Sequence, residues 1–170
     1  GIMVFSKDKY GKWTFRNRVK GFIEPSRYIE VDYLGYIWAV HPQKGMYRLE
    51  LNEQMDSVIK ILHINSIADS SGKITVSLIN NHIVFMTSEF IYEFNYENKS
   101  FAPVKSLEPG LREFIGSTQI INYQKNRYWF ILGNRIALFE ISKDLEAKKI
   151  LEIYHKYADL QNREQQIIAL

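Results

Sequence analysis

The side chains able to do chemistry in this chain are few in kind and scattered in position. Its 170 residues hold four histidines, His41, His63, His82 and His155, and no cysteine. No two of these histidines stand at metal-ligand spacing and no Glu completes an H-E-x-x-H, so no metal site is expected. Without cysteine there is no disulfide, no zinc–thiolate centre and no thiol nucleophile. No G-x-S-x-G, P-loop or G-x-G-x-x-G occurs, so no catalytic residue is assigned and no cofactor is expected. The 19 Asp and Glu residues are dispersed, and could act as a glycosidase-type pair only where the fold made two of them converge. Asn98-Lys99-Ser100 has the form of a glycosylation acceptor but reads better as a polar turn.

The 22 Lys and Arg exceed the acids by 3 and are interspersed with them. Nucleic-acid affinity needs several phosphates neutralised together, and this balance gives it little support. Hydrophobic residues at 46% are enough to bury a core, and 24 aromatics favour strands. No window approaches 18 consecutive apolar residues. The start, Gly1-Ile2-Met3-Val4, has neither an initiator Met nor a signal-peptide n-region, and reads as an excised piece.

The elements that must position these groups follow from an internal repeat. Gly35–Val40 with Met46–Leu51, His82–Met86 with Ile91–Tyr96, and Arg127–Leu132 with Leu138–Ile141 each read as a hairpin with β-branched and aromatic arms. Tyr47, Tyr92 and Phe139 hold one register, at offsets of 45 and 47. A strand precedes each hairpin: Arg27–Val31, Lys73–Ser77 and Thr118–Asn122. Another follows: Ser57–Leu62, Phe101–Lys105 and Lys149–Tyr154. The last is contested, because Ala147, Ile150, Leu151, Tyr154 and Ala158 also fit a helix face; the repeat register favours the strand. The N-terminal Gly1–Phe5 and Trp13–Arg16 fit third and fourth strands of a preceding unit, and Gln165–Leu170 fits a following first strand.

Four strands at this spacing make a β-propeller blade. The expected fold is therefore all-β: a propeller fragment of about three complete four-stranded blades, with partial blades at both ends. The blades span 27–64, 73–107 and 118–157, preceded by the end of a blade at 1–22 and followed by a first strand at 165–170. Trp38, Phe85, Trp129 and Phe130 are expected between blades. A seven-blade ring at this period needs about 320 residues, so an arc with open faces is expected, and two copies could pair to cover them.

The segment carrying Asp32, Gly35, Ile37, Trp38, Gly45, Tyr47 and Arg48 resembles the two-component-regulator propeller repeat. Val40-His41 stands where that repeat has Gly-Thr, and Lys44 replaces one of its glycines. The second repeat keeps Thr87, Ile91 and Tyr92, and the third keeps Trp129, Phe139 and Glu140 more loosely. The resemblance implies a sensing propeller of a bacterial membrane-bound regulator, periplasmic and followed in the parent by a triple-tyrosine domain. Phe15–Phe22 and Arg127–Phe130 look most like versions that end in a LuxR-type helix-turn-helix.

Alternating strands put the second-to-third turns and the links into each first strand on one propeller face, where loops commonly take ligands. That face offers Arg27, His41, Gln43, Lys44, Glu89, Asn134 and Arg135 as ligand-binding candidates. The leading expectation is a module that senses a small molecule, such as a saccharide, or a protein partner, without catalysis or nucleic-acid binding of its own. The alternative is a fragment of a carbohydrate-acting propeller hydrolase or lyase. That reading needs carboxylates, or a His with a carboxylate, to meet at the channel, where the first strands offer Glu30, Asp32, Ser77 and Asn122.

Overall fold

The computed structural model describes residues 1–65, 67 and 73–154. Three four-stranded antiparallel sheets follow one another along the chain. The first is β3 (Tyr28–Val31), β4 (Ile37–His41), β5 (Gly45–Leu51) and β6 (Val58–Ile64). The second is β7 (Thr75–Ile79), β8 (His82–Met86), β9 (Ile91–Asn95) and β10 (Ser100–Pro103), and the third is β11 (Gln119–Gln124), β12 (Arg127–Leu132), β13 (Arg135–Ile141) and β14 (Ala147–Tyr154). A hairpin, β1 (Met3–Lys7) with β2 (Trp13–Arg18), precedes them. In each sheet the strands run in sequence order from first to fourth. The first strands lie side by side, β3 against β7 and β7 against β11. This is a β-propeller arc of three blades and a two-stranded remnant. The expected first strand at 165–170 and His155 lie outside the described residues.

Blade faces, not a single central core, hold the arc together. Ile2, Val19, Phe22, Ala39, Tyr47 and Leu49 pack between the remnant and the first blade. Trp38, Val40, Met46, Val76, Phe85 and Phe94 pack between the first and second blades. Met86, Ile91, Tyr128, Phe130, Ala137 and Phe139 pack between the second and third. Tyr47, Tyr92 and Phe139 each face the preceding blade's side of their sheet, which explains their common register. Trp38 meets Phe85 and Phe94 edge-on at 5.0 and 4.8 Å. Such pairs add about 0.5–1.5 kcal/mol each beyond burial. Trp129 differs from the expectation: it alternates out of phase with buried Tyr128 and Phe130, and turns to the other face beside Tyr123.

Two details depart from the sequence reading. β7 begins at Thr75, two residues later than expected, because Asn80 and Asn81 form a two-residue left-handed turn (φ 47° and 69°) that fixes the pairing Ile79↔His82. The segment after β10 holds a short helix, α1 (Glu108–Leu111), and a 3-10 turn at Arg112–Phe114, which the repeat did not foresee. Pro103 can end β10 because that strand is the blade's outer edge. The contested segment 147–154 is a strand, pairing along the whole of β13. Asn98 receives hydrogen bonds from the Ser100 amide and hydroxyl, making the 98–100 triplet a polar turn.

One buried network crosses from the first blade to the second. Asp32, 4% exposed, accepts hydrogen bonds from the Leu34 and Tyr36 amides, Trp38 Nε1 (2.7 Å) and the Tyr96 hydroxyl (2.7 Å). Burial, then the bond to Asp32, pushes the Tyr96 hydroxyl above its ordinary value of 10.0. A tyrosine with a raised folded-state pKa contributes stability that is complete below about pH 10 and declines as the unfolded chain ionises above it. We therefore expect Tyr96→Phe to flatten part of the alkaline limb of stability. Urea midpoints between pH 8 and 11 that fall in parallel for both proteins would refute this.

Candidate functional site

The loop face gathers some of the expected residues and leaves others apart. His41 ends β4, Lys44 precedes β5, and Pro42, Gln43 and Lys44 form the turn between them. His41 Nδ1 accepts hydrogen bonds from the Gln43 and Lys44 amides, both at 2.9 Å. That fixes the neutral tautomer with its proton on Nε2, which faces Glu24 Oε2 at 3.5 Å. Lys44 Nζ donates to both oxygens of Glu24, at 2.9 and 2.8 Å. His63, on β6, donates from Nε2 to the Lys44 carbonyl at 2.6 Å and stacks on Tyr47 at 4.6 Å. The result is a carboxylate held between an ammonium and an imidazole N–H.

The electrostatics of this cluster favour binding over proton transfer. The Lys44 hydrogen bond holds the Glu24 carboxyl below the usual carboxylate range, and the same bond raises Lys44. An acid–base catalyst works best with a pKa near the working pH; Glu24 instead stays ionised. His41 Nδ1 is occupied by the two turn amides. What the cluster offers is an anionic acceptor next to a cationic donor, a pairing suited to adjacent sugar hydroxyls.

The remaining candidates sit elsewhere. Arg27 lies against the Tyr28 ring at 5.4 Å, its amide bonded to the Val40 carbonyl. Gln43 is exposed in the His41 turn. Glu89 lies in a turn capped by Thr87, whose hydroxyl accepts from the Glu89 and Phe90 amides. Asn134 is exposed in the β12–β13 turn. Arg135 belongs to a separate network, donating to Glu152 at 2.7 Å and Glu113 at 3.1 Å with its guanidinium over Phe114. Lys149 binds the same two acids, which lowers Glu113 and raises Lys149. The seven residues therefore do not form one site: His41, Gln43 and Lys44 join Glu24, while Arg135 is tied into its own blade's ion pairs. Glu24 and His63 were not among the expected residues; Glu24 lies three residues before Arg27 in the link that enters β3.

The channel strands hold no acid–base pair among the described residues. Glu30 lies on β3 and Asp32 directly follows its last residue, two positions on and turned to the same side. Glu30 accepts from the Val31 and Leu78 amides, capping the inner edge of β7, and Asp32 is enclosed in its buried network. Ser77 is buried on β7 and Asn122 is exposed on β11. Among the described residues no group of three or more His, Asp and Glu could hold a metal ion, and no helix is long and apolar enough to cross a membrane.

No family model matches this chain, and no curated protein does. Among solved structures it is similar to the periplasmic gluconolactonase of Pseudomonas aeruginosa, with TM-score 0.53 and 12% identity, over 94% of this chain and 50% of that one. A protein from Lactobacillus plantarum aligns over 89% of this chain and 50% of its own at 13% identity and TM-score 0.47. The chain thus spans about half the length of the structures it matches. The expected sensing module of a signal-transduction regulator is corrected at this point. The propeller matched is a gluconolactonase, and the residues that carried the regulator resemblance build blades. Asp32, Trp38 and Tyr47 are buried, Gly35 and Gly45 turn the chain at φ 84°, and Arg48 lies over Tyr36 and Phe94. Such residues describe a blade and carry no output. The fold that the likeness to the gluconolactonase structure and the sheet order establish is a β-propeller.

Proposed function

We propose that this chain is an arc of a carbohydrate-acting β-propeller hydrolase or lyase, whose loop-face cluster of Glu24, His41 and Lys44 holds sugar hydroxyls. The observation that carries the reading is the likeness to a gluconolactonase over 94% of the chain. The cluster adds a fixed acceptor–donor pair on the face where propellers take ligands. Because the arc matches half of that enzyme, and Glu24 is held ionised, the arc is assigned recognition and not the chemical step. The periplasmic setting of that enzyme is carried over as the proposed location.

Titration with glucose and glucono-1,5-lactone, followed by calorimetry and thermal shift, tests this. Binding by the unaltered chain is expected, with affinity falling about tenfold in Lys44→Ala, the scale of one charge-assisted hydrogen bond. Absence of binding at millimolar sugar, or equal affinity in Lys44→Ala and Glu24→Gln, would remove the proposal.

A further inference from the structure

The face opposite the loop cluster carries a second constellation. It is formed by the β3–β4, β7–β8 and β9–β10 turns, at the seam between the first two blades. Tyr33, Asn81, His82, Ile83, Glu93 and Tyr96 line a groove of about 400 Å³ there. His82 Nδ1 donates to Glu93 Oε1 at 2.6 Å, across neighbouring strands, with both side chains about a third exposed. The pair orients both side chains in the groove wall. Tyr33 is 59% exposed and meets Tyr96 edge-on at 5.5 Å. Tyr96 is locked by its hydroxyl on buried Asp32, so the aromatic wall is rigid before any ligand arrives. Asn81 is held at φ 69° in the tight turn, which fixes where its side chain leaves the backbone.

From this geometry we infer a second carbohydrate site, one that takes an oligosaccharide. An exposed tyrosine ring beside an amide, an imidazole and a carboxylate matches the two kinds of surface a pyranose presents: apolar C–H faces and hydroxyl edges. Pre-set side chains reduce the ordering cost of binding a polar ligand. The site is longer than one sugar. His82 and Glu93 also border an adjoining groove of about 360 Å³ that continues past Pro103 and Lys105 to Lys143. One dyad therefore stands between two cavities, with an oligosaccharide unit on either side of it. This site is independent of the loop-face cluster and shares no residue with it.

The test is NMR titration of the full chain with glucose and with the maltose and cellobiose series up to four units. Shifts at His82 and Tyr33 are expected, with affinity rising at least tenfold from monosaccharide to trisaccharide. Tyr33→Ala should weaken binding tenfold or more. Asn81→Gly keeps the left-handed turn and removes the amide, and should weaken it severalfold. Lys44→Ala should leave these shifts unchanged, which separates this site from the loop-face reading. No binding by any of these sugars, no gain with length, or binding insensitive to Tyr33→Ala and Asn81→Gly in variants of native circular dichroism would overturn the inference.

Discussion

Replacing Asp32 with alanine is expected to destabilise the arc by about 3–5 kcal/mol, the range for breaking a buried polar network at its hub. The carboxylate accepts four hydrogen bonds, and two come from side chains with few alternatives: Trp38 Nε1 within the same blade and the Tyr96 hydroxyl from the next. Trp38 is wholly enclosed, so its N–H would be left without an acceptor where water does not reach. The amides of Leu34 and Tyr36 lose the acceptor that shapes the β3–β4 turn. Asp32→Asn should cost less, because one amide oxygen still serves one side of the network while its NH2 group opposes the donors on the other. Equilibrium urea unfolding gives both numbers; a loss under 1 kcal/mol in Asp32→Ala would mean the network contributes orientation without stability. In that case Tyr96→Phe should be equally silent.

The same residue shows what was legible in the sequence and what was not. Tyr47, Tyr92 and Phe139 recur with a blade's spacing because each blade must solve the same packing problem, so the periodicity announces strands and seams. Even β14, whose residues also suit a helix, follows from register. Individual polar contacts carry no such periodic mark. Glu24 reaches Lys44 across 20 residues and Asp32 reaches Tyr96 across 64, pairings that exist only in the folded arc. The loop-face candidates were chosen by topology, which correctly places turns on one face. It cannot say that His41 spends Nδ1 on its own turn or that Arg135 is tied to Glu113 and Glu152. The His82–Glu93 pair escaped for a related reason: single histidines on strands look alike until the diagonal neighbour is known.

The segment with least signal in the repeat yields the second large effect. Gly110, in α1, should tolerate no side chain: a Cβ there would run into the backbone carbonyl of Ala147 and lie 2.8 Å from its Cβ. The obstacle is backbone in a paired strand, since Ala147 bonds opposite Ile141 in the third blade. α1 must therefore move away from β14, and it cannot move alone. Leu107, Leu111 and Phe114 around it are fully enclosed and pack on the seam with Phe130 and Phe139. Gly110→Ala is accordingly expected to cost about 3 kcal/mol or more, above the roughly 1 kcal/mol that Ala usually gains over Gly in a helix. Combining it with Ala147→Gly should recover only a small part, because the carbonyl remains. Full recovery in the double variant would show that the Ala147 methyl, and not the strand backbone, sets how closely α1 approaches. The loss should appear as faster amide exchange in β13 and β14, with β4 and β5 unchanged, since the seams on either side of the first blade share no residue with this one.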